Sequence, residues 1–426
     1  MSGRELEVAI LELGSAGDGV AQVLDGRIFV PSALPGERWR VRLERKIPEG
    51  WNAMPLECLV EMPRATPCCP HFGRCGGCRL QHLPDALYQA QRSSRIATAL
   101  RRRGLPADAM GEVRTAPLAS RRRLRLGLAR GTGGLTLGLR QRASHRLEPI
   151  GICPVARPVL AALLPRLAGA LGEALGRPEP GEVSLTLTEA GIDLLLHARR
   201  PSRAVERERL AAMADRLDLG RVGWDAGEPD PVVTRRQPYV RLGGVPVEVP
   251  LGAFLQATEF GEGELGSAVT QWTGGAARVL DLYAGLGTLT LGLAHQLSRL
   301  HAVEGNAASA TALRRAAAAA RLAAVEVSCR DLTRRPLTGA ELAGWDVVVL
   351  DPPRAGAVEQ VRELANAAVR CIVYASCSPE SFARDARLLV DSGFELQELR
   401  PIDQFRYAAE VELIARFVRR GTRERP

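Results

Sequence analysis

The chain runs to 426 residues with 46% hydrophobic and 4% aromatic content, enough for two or three domains whose cores are mostly aliphatic. Its net charge of +9 suits a polyanionic partner, while the charged N-terminus and the lack of any run of ~18 uninterrupted apolar residues argue against a secretory signal or a membrane span. A cytoplasmic chain with no membrane partner is expected, and there the nine cysteines read as metal ligands or catalytic groups, not disulfides.

Residues 1–63 read as strands and turns. Leu6, Val8 and Ile10 alternate with polar residues, Gly14 to Gly19 form a glycine-rich turn, and Asp25-Gly26 is a hairpin signal between Val20–Leu24 and Arg27–Val30. Pro35-Gly36 turns the chain into Trp39–Arg45, and a fifth run follows at Ala53–Glu61. Five short strands predict a small barrel of the OB kind, a common RNA-binding shape, with a purely structural appendage as the alternative.

Residues 64–250 read as an α+β middle domain. It opens on Pro67-CCPHFGRCGGC, where Cys69, Cys75 and Cys78 stand as C-x5-C-x2-C among glycines that let the backbone wrap closely. A four-ligand site needs one more thiolate, and Cys153 in PIGICPV is the nearby unassigned one; Cys68 is the poorer choice, since adjacent residues seldom reach one centre. Zinc and an iron–sulfur cluster both suit four thiolates. A helix is expected over Pro84–Arg103, hairpins at Arg121–Arg130 with Leu135–Arg140 and at Val183–Thr188 with Ile192–Ala198, and helices over Val155–Leu175 and Ser202–Leu217. Arginines 121, 122, 123, 125, 140, 142 and 146 form a cluster suited either to tracking phosphates or to a solvated face.

Residues 251–426 alternate strand and helix, the mark of a doubly wound α/β sheet. Arg278–Leu282 is a strand, Tyr283-AGLGT a loop and Thr288–Leu297 a helix; the next strand, Leu300–Val303, ends at Glu304, whose carboxylate is placed for ribose hydroxyls. The third glycine of a dinucleotide fingerprint is missing at Leu289 and Thr290, which favours an adenosylmethionine-like ligand over NAD. Val325–Ser328 is a third strand leading to Asp331, within reach of an adenine edge. DVVVLDPPRAG then ends a buried strand at Asp351, and Cys371–Ala375 delivers Ser376, Cys377 and Ser378 to the same sheet edge before Pro379 opens a helix. A thiol beside a helix start is expected to lean toward thiolate, the nucleophilic form.

These motifs together resemble the class I S-adenosylmethionine-dependent RNA 5-methyluridine methyltransferases, in particular the iron–sulfur branch that includes 23S ribosomal RNA uracil-C5 methyltransferases. The likeness spans essentially the whole chain: the cluster motif at Cys69–Cys78 with its distal Cys153, F-x-Q at Phe254–Gln256, D-L-Y-x-G-x-G-T at Asp281–Thr288, D-P-P-R-x-G at Asp351–Gly356 and Y-x-S-C at Tyr374–Cys377. The resemblance implies a C-terminal Rossmann-like methyltransferase domain, an N-terminal TRAM barrel, and a 4Fe-4S cluster on Cys69, Cys75, Cys78 and Cys153. It assigns cofactor contacts to Gln256, Tyr283, Thr288, Glu304, Asp331 and Asp351, the nucleophile to Cys377 and the general base to Glu412, on a last strand expected at Val411–Phe417. Three positions depart from the pattern: Ser378 and Thr258 stand where asparagine is usual, and Glu410 where histidine is. Uridine C5 methylation in structured RNA follows, with 23S ribosomal RNA as the expected substrate and a monomer as the expected state. Transfer RNA is the rival substrate, and a non-catalytic RNA binder on the same scaffold the rival function.

Overall fold

The computed structural model describes residues 3–421 apart from 25, 132–133, 143, 145 and 177–180, so the tips of two expected turns, at Asp25 and at 132–133, lie outside the described residues. Six strands form the N-terminal sheet: β1 (Glu5–Ala9), β2 (Glu12–Leu13), β3 (Gly19–Val23), β4 (Gly26–Val30), β5 (Arg38–Ile47) and β6 (Gly50–Val60). Their order is β1-β5-β6-β4-β3-β2. The inward residues of this alternation, Val8, Ile28, Val30, Val41 and Trp51 among them, make one small core. Five short strands were expected; β5 and β6 are instead 10 and 11 residues long, because three register shifts bend the pair without ending it.

Next come α1 (Asp85–Arg101) and β7 (Arg114–Thr115), followed by the middle sheet: β8 (Arg123–Gly131), β9 (Gly134–Arg140), β10 (Leu147–Pro149), α2 (Pro158–Leu175), β11 (Gly181–Thr188), β12 (Gly191–His197), α3 (Ala204–Arg216), β13 (Arg221–Asp225) and β14 (Pro229–Thr234). The strand order is β10-β9-β8-β11-β12-β13-β14. By length and composition α2 is apolar enough to cross a membrane, yet Leu160, Leu163, Leu164, Leu167 and Leu171, spaced along one helical stripe, are buried in a core with Leu126, Val183, Leu194 and Val222.

The C-terminal part begins with a hairpin of β15 (Tyr239–Leu242) and β16 (Val245–Glu248) and continues through α4 (Glu259–Trp272), β17 (Arg278–Leu282), α5 (Thr290–Leu293), β18 (Arg299–Glu304), α6 (Ala307–Ala319), β19 (Val325–Cys329), α7 (Gly339–Leu342), β20 (Val347–Leu350), α8 (Val358–Asn366), β21 (Cys371–Ser376), α9 (Pro379–Asp391), β22 (Phe394–Asp403) and β23 (Glu412–Arg419). Its sheet runs β19-β18-β17-β20-β21-β23-β22-β7. The first five are parallel, with β20 and β21 buried throughout, and the order reverses between β17 and β20, the point at which a ligand crevice opens in such sheets. β23 slots in antiparallel between β21 and β22. The helix expected over Thr288–Leu297 shrinks to α5; Gly285 and Gly287 hold positive φ, which carries an open loop across the sheet edge first. Although the sequence grouped α1 and β7 with the middle domain, Ile96, Ala99 and Leu100 enter the C-terminal core and β7 pairs with β22.

Candidate active site

Beyond the carboxyl ends of β17, β18, β20 and β21 lies a cavity of about 640 Å³, and it is lined by Gln256, Tyr283, Thr288, Glu304, Asp331, Asp351, Cys377 and Glu412, all eight of the expected cofactor and catalytic side chains. Tyr283 starts its loop at a φ of 62°, a conformation costly for a side chain of this size, and Gly287 follows where a Cβ would stand 2.4 Å from Leu313 Cδ1. Glu304 ties the loops together: its Oε2 accepts from Gly285 N at 2.8 Å and its Oε1 from Asn306 N at 2.6 Å. Asp331 accepts from Thr333 N at 3.0 Å and stays half exposed.

The pairing of β21 with β23 decides the other half of the site. Ser376 lies opposite Leu413, so the next residue of one strand, Cys377, and the preceding residue of the other, Glu412, meet at the same edge. Thirty-odd residues apart in sequence, they are brought together by antiparallel register alone. Around them runs a chain of amides. Gln404 Nε2 donates to Gln256 Oε1 at 2.8 Å and to Glu412 Oε2, its Oε1 accepts from Thr258 N at 3.2 Å, and Gln256 Nε2 passes on to Asp351 Oδ2 at 3.1 Å.

Burial dominates the electrostatics. It raises the carboxyls of Glu412 to about 8, Asp281 to about 7 and Asp351 to about 6; Asp351 and Asp403 add to the effect at Glu412, which Gln404 opposes by donating a hydrogen bond. The Cys377 thiol is pushed up to about 11, first by burial and then by the carboxylates of Glu412 and Asp351. This corrects the expectation of a thiolate at rest: the helix start next to Cys377 does not outweigh desolvation beside two acids. Asp281 is 1% exposed, accepts from Thr290 through Oδ2 and has no partner at Oδ1, on the wall of the cavity.

A profile described as tRNA (Uracil-5-)-methyltransferase matches residues 258–417, the stretch holding all of these groups but Gln256. An uncharacterized RNA methyltransferase of Caulobacter vibrioides is 39% identical, covering 97% of this chain and all of its own length. The 23S rRNA (uracil(1939)-C(5))-methyltransferase of Chromohalobacter salexigens is 34% identical over 97% of this chain and 90% of its own. This chain belongs to the RNA uracil-C5 methyltransferase family. Its fold is that of the Pyrococcus abyssi tRNA (uracil-54, C5)-methyltransferase, solved with S-adenosyl-L-homocysteine, at a TM-score of 0.74, 21% identity and coverage of 97% and 100% of the two chains.

Several side chains of this methyltransferase take roles that the sequence did not announce. Arg122 and Arg123, read with Arg121 as possible phosphate contacts, instead brace the cavity wall: Arg122 donates to Gln256 O at 3.0 Å and pairs with Glu262, and Arg123 bonds Leu255 O and lies over the Phe254 ring, while Arg121 lies over Phe405. Arg125 and Arg140 pair with Glu182, and Arg142 with Asp18. Gln404, which no motif marked, is 2% exposed at the centre of the amide chain. The segment from Gln404 to Glu412 is itself fastened from outside by α1, whose Tyr88 and Arg92 contact buried Asp403 and whose Arg92 Nη1 donates to Glu410 O at 2.8 Å. Of the three departures, Thr258 and Ser378 cap α4 and α9 through their hydroxyls, and Glu410 is half-exposed, 3.9 Å from Arg354.

In the methyltransferase the cysteine loop lies against this segment: Arg79 N and Leu80 N both donate to Tyr407 O, at 2.7 and 3.1 Å. Burial raises the Cys75 and Cys153 thiols and drives that of Cys78 to about 12, and each of the three is raised further by neighbouring thiols of the set, Cys69 included. Gly76 permits the approach, since a Cβ there would lie 2.6 Å from Arg140 O of β9. Among the described residues no three His, Cys, Asp or Glu side chains converge tightly enough to form a recognisable metal-ion site. Cys68 is exposed, 3.5 Å from Gln81 Oε1.

Proposed function

We propose that this methyltransferase transfers a methyl group from S-adenosylmethionine to C5 of a uridine in 23S ribosomal RNA, with Cys377 as nucleophile and Glu412 as general base. The observation that carries the reading is the β21–β23 register, which sets a thiol and a carboxyl face to face in one cavity. The 34% identical ribosomal RNA enzyme supports the substrate. The methyl donor fits the carboxylate-rich wall of Asp281, Glu304, Asp331 and Asp351, because a cation with hydroxyls and an amine finds acceptors there, including the unpartnered Oδ1 of Asp281. When bound, S-adenosylmethionine supplies an electrophilic methyl group.

Uracil C5 is too weak a nucleophile to take that group unaided. Addition of the Cys377 sulfur to C6 moves the C5–C6 π electrons toward C5 and the C4 carbonyl, which makes C5 an enolate carbon. Burial keeps the thiol protonated in the free enzyme, so its proton passes to water as the sulfur bonds C6, which leaves Glu412 free for the later step. After methylation C5 carries both a methyl group and a proton. Glu412 takes that proton, the C5–C6 double bond re-forms, and the Cys377–C6 bond breaks. A carboxyl raised to about 8 is a stronger base than an ordinary glutamate, suited to that step. The target base must leave its stack to reach both groups, at a cost of a few kcal/mol that favours loop nucleotides.

The reading includes a 4Fe-4S cluster on Cys69, Cys75, Cys78 and Cys153. Four half-buried thiols lie close together, three of them raised by burial and by their neighbours, and with the guanidinium of Arg121 beside them they suit a group that replaces their protons with metal. Transcripts of 23S ribosomal RNA and of tRNA, incubated with labelled S-adenosylmethionine and digested to nucleosides, test the function. Labelled 5-methyluridine from the ribosomal transcript is expected; label from tRNA alone would move the substrate, and label from neither, with donor bound, would leave an RNA binder.

A further inference from the structure

Gln404 has two N–H donors and one carbonyl, and every one of them is engaged. Its carbonyl faces the backbone N–H of Thr258, which can only donate, so its amide nitrogen must point at Glu412 and Gln256. That single backbone group therefore fixes the sense of the whole chain. Gln256, having accepted at Oε1, turns its own nitrogen to Asp351. The amide cannot swing away, because α4 packs directly against it: a Cβ on Gly261 would lie 2.6 Å from Gln404 Oε1. From below, Asp403 is held by Tyr88 and Arg92, so the end of β22 has no slack either.

We infer that Gln404 is a positioning residue for the proton-removal step, holding Oε2 of Glu412 with an N–H donor so that Oε1 is left to receive the proton from C5. This rests on the assignment of Glu412 as the base. The charged and titratable groups around Glu412 are Asp351 from the end of β20, Asp403 from the end of β22 and the Cys377 thiol from the end of β21. Both carboxyls make ionisation of Glu412 harder, and Gln404 is the group that favours its carboxylate form. The same amide joins Glu412 to Gln256 and Asp351, so the base and the cofactor wall share one hydrogen-bonded frame.

The test uses Gln404→Met, which keeps the length and loses both donors, and Gln404→Glu, which keeps an acceptor for Thr258 N and puts oxygen in place of nitrogen. Each is assayed on the 23S ribosomal RNA transcript from pH 6 to 9.5, together with parent and Glu412→Gln. Methyl release, the Cys377–RNA band on denaturing gels, and binding of S-adenosylhomocysteine are followed. Expected for both variants are turnover at pH 7 lowered about tenfold or more, the loss of one hydrogen bond to a charged group, and a rate profile displaced to higher pH. The adduct band should build up at pH 7 and clear at pH 9, with cofactor binding changed far less. A folded Gln404 variant with the parental profile and no adduct overturns the inference; so does a loss of turnover equal at every pH with adduct formation lost in step. If Glu412→Gln itself traps no adduct, the assignment of the base fails instead, and the two failures are told apart on the same gel. Should Gln404→Met not fold, Gln404→Glu decides alone.

Discussion

The carboxylate of Glu304 gives the cofactor assignment its sharpest test. Each of its oxygens already accepts one backbone N–H, from Gly285 at 2.8 Å and from Asn306 at 2.6 Å, and each keeps a second lone pair for a ribose hydroxyl. Glu304→Ala removes both. Losing a hydrogen bond to a charged acceptor costs about 1.5–3 kcal/mol. In binding terms that is a ~10- to ~150-fold rise in the Kd for S-adenosylhomocysteine, measured by isothermal titration calorimetry. The released loop amides face the open cavity, where water replaces the lost acceptor, so the unfolding temperature without ligand should move little while the ligand-induced rise nearly disappears. Glu304→Gln keeps one acceptor oxygen but turns an N–H toward the other backbone amide, and should fall between the two. An alanine variant that unfolds like the parent and binds within threefold of it would remove Glu304 from the cofactor site.

Glu412→Gln should still form the Cys377 adduct but release it slowly, giving a protein–RNA band that disappears on adding Cys377→Ser; parental turnover without a band would pass the role of base to another residue. The thiol at about 11 predicts that the Cys377 peptide, followed by mass spectrometry, is alkylated by iodoacetamide more slowly than free cysteine at pH 7.5 and that its rate still climbs past pH 9; a plateau by pH 8 would mean an activated thiolate. Asp281 titrates at about 7 when folded against an ordinary 3.8, so the folded state holds the extra proton between those values and this group's ionisation destabilises it as pH rises through the window. Asp281→Asn should therefore flatten the fall in unfolding temperature between pH 5 and 8, and an unchanged slope would mean that Asp281 does not titrate there. For the cysteine loop, protein purified without oxygen should carry about four irons and broad visible absorption that Cys153→Ser removes; stoichiometric zinc without iron would reject the cluster.

Much of this site was legible because its motifs sit where strands stop. DPPR and SCSP each end a buried parallel strand with a proline, and prolines at such positions fix where the chain leaves the sheet, so Asp351 and Cys377 could be placed at one crevice from the sequence. Glu304 also stands at a strand end, that of β18, two strands from β20. Gln404 could not be found this way: it has no motif of its own, and its importance comes from the pairing of β22 with β23 and from the close approach of α4 at Gly261, both properties of register and packing. The three consecutive arginines after Ser120 misled for a related reason, since charge in a sequence does not say which carbonyl it faces, and Arg122 proves to be 4% exposed. The Cys377 pKa shows a contest of magnitudes. A helix terminus contributes a few tenths to about 1 kcal/mol at exposed sites, whereas burial beside two carboxylates acts in the opposite direction and prevails. The docking of α1 on the C-terminal sheet was hidden as well, because helical periodicity gives a buried stripe without naming its neighbour.

The interleaving of β23 between β21 and β22 also sets an order of events during synthesis. A ribosome delivers β21 and its cysteine well before the strand that separates it from β22, and the edge of the sheet stays open until Arg419 has emerged. The thiol of Cys377 and the carboxyl of Glu412 therefore meet only at the end of synthesis: the strand carrying Glu412 is the same one that closes the sheet beside Cys377. A chain that stops before Glu412 keeps the thiol but lacks that wall of the pocket, and it leaves the edge of β21 unpaired.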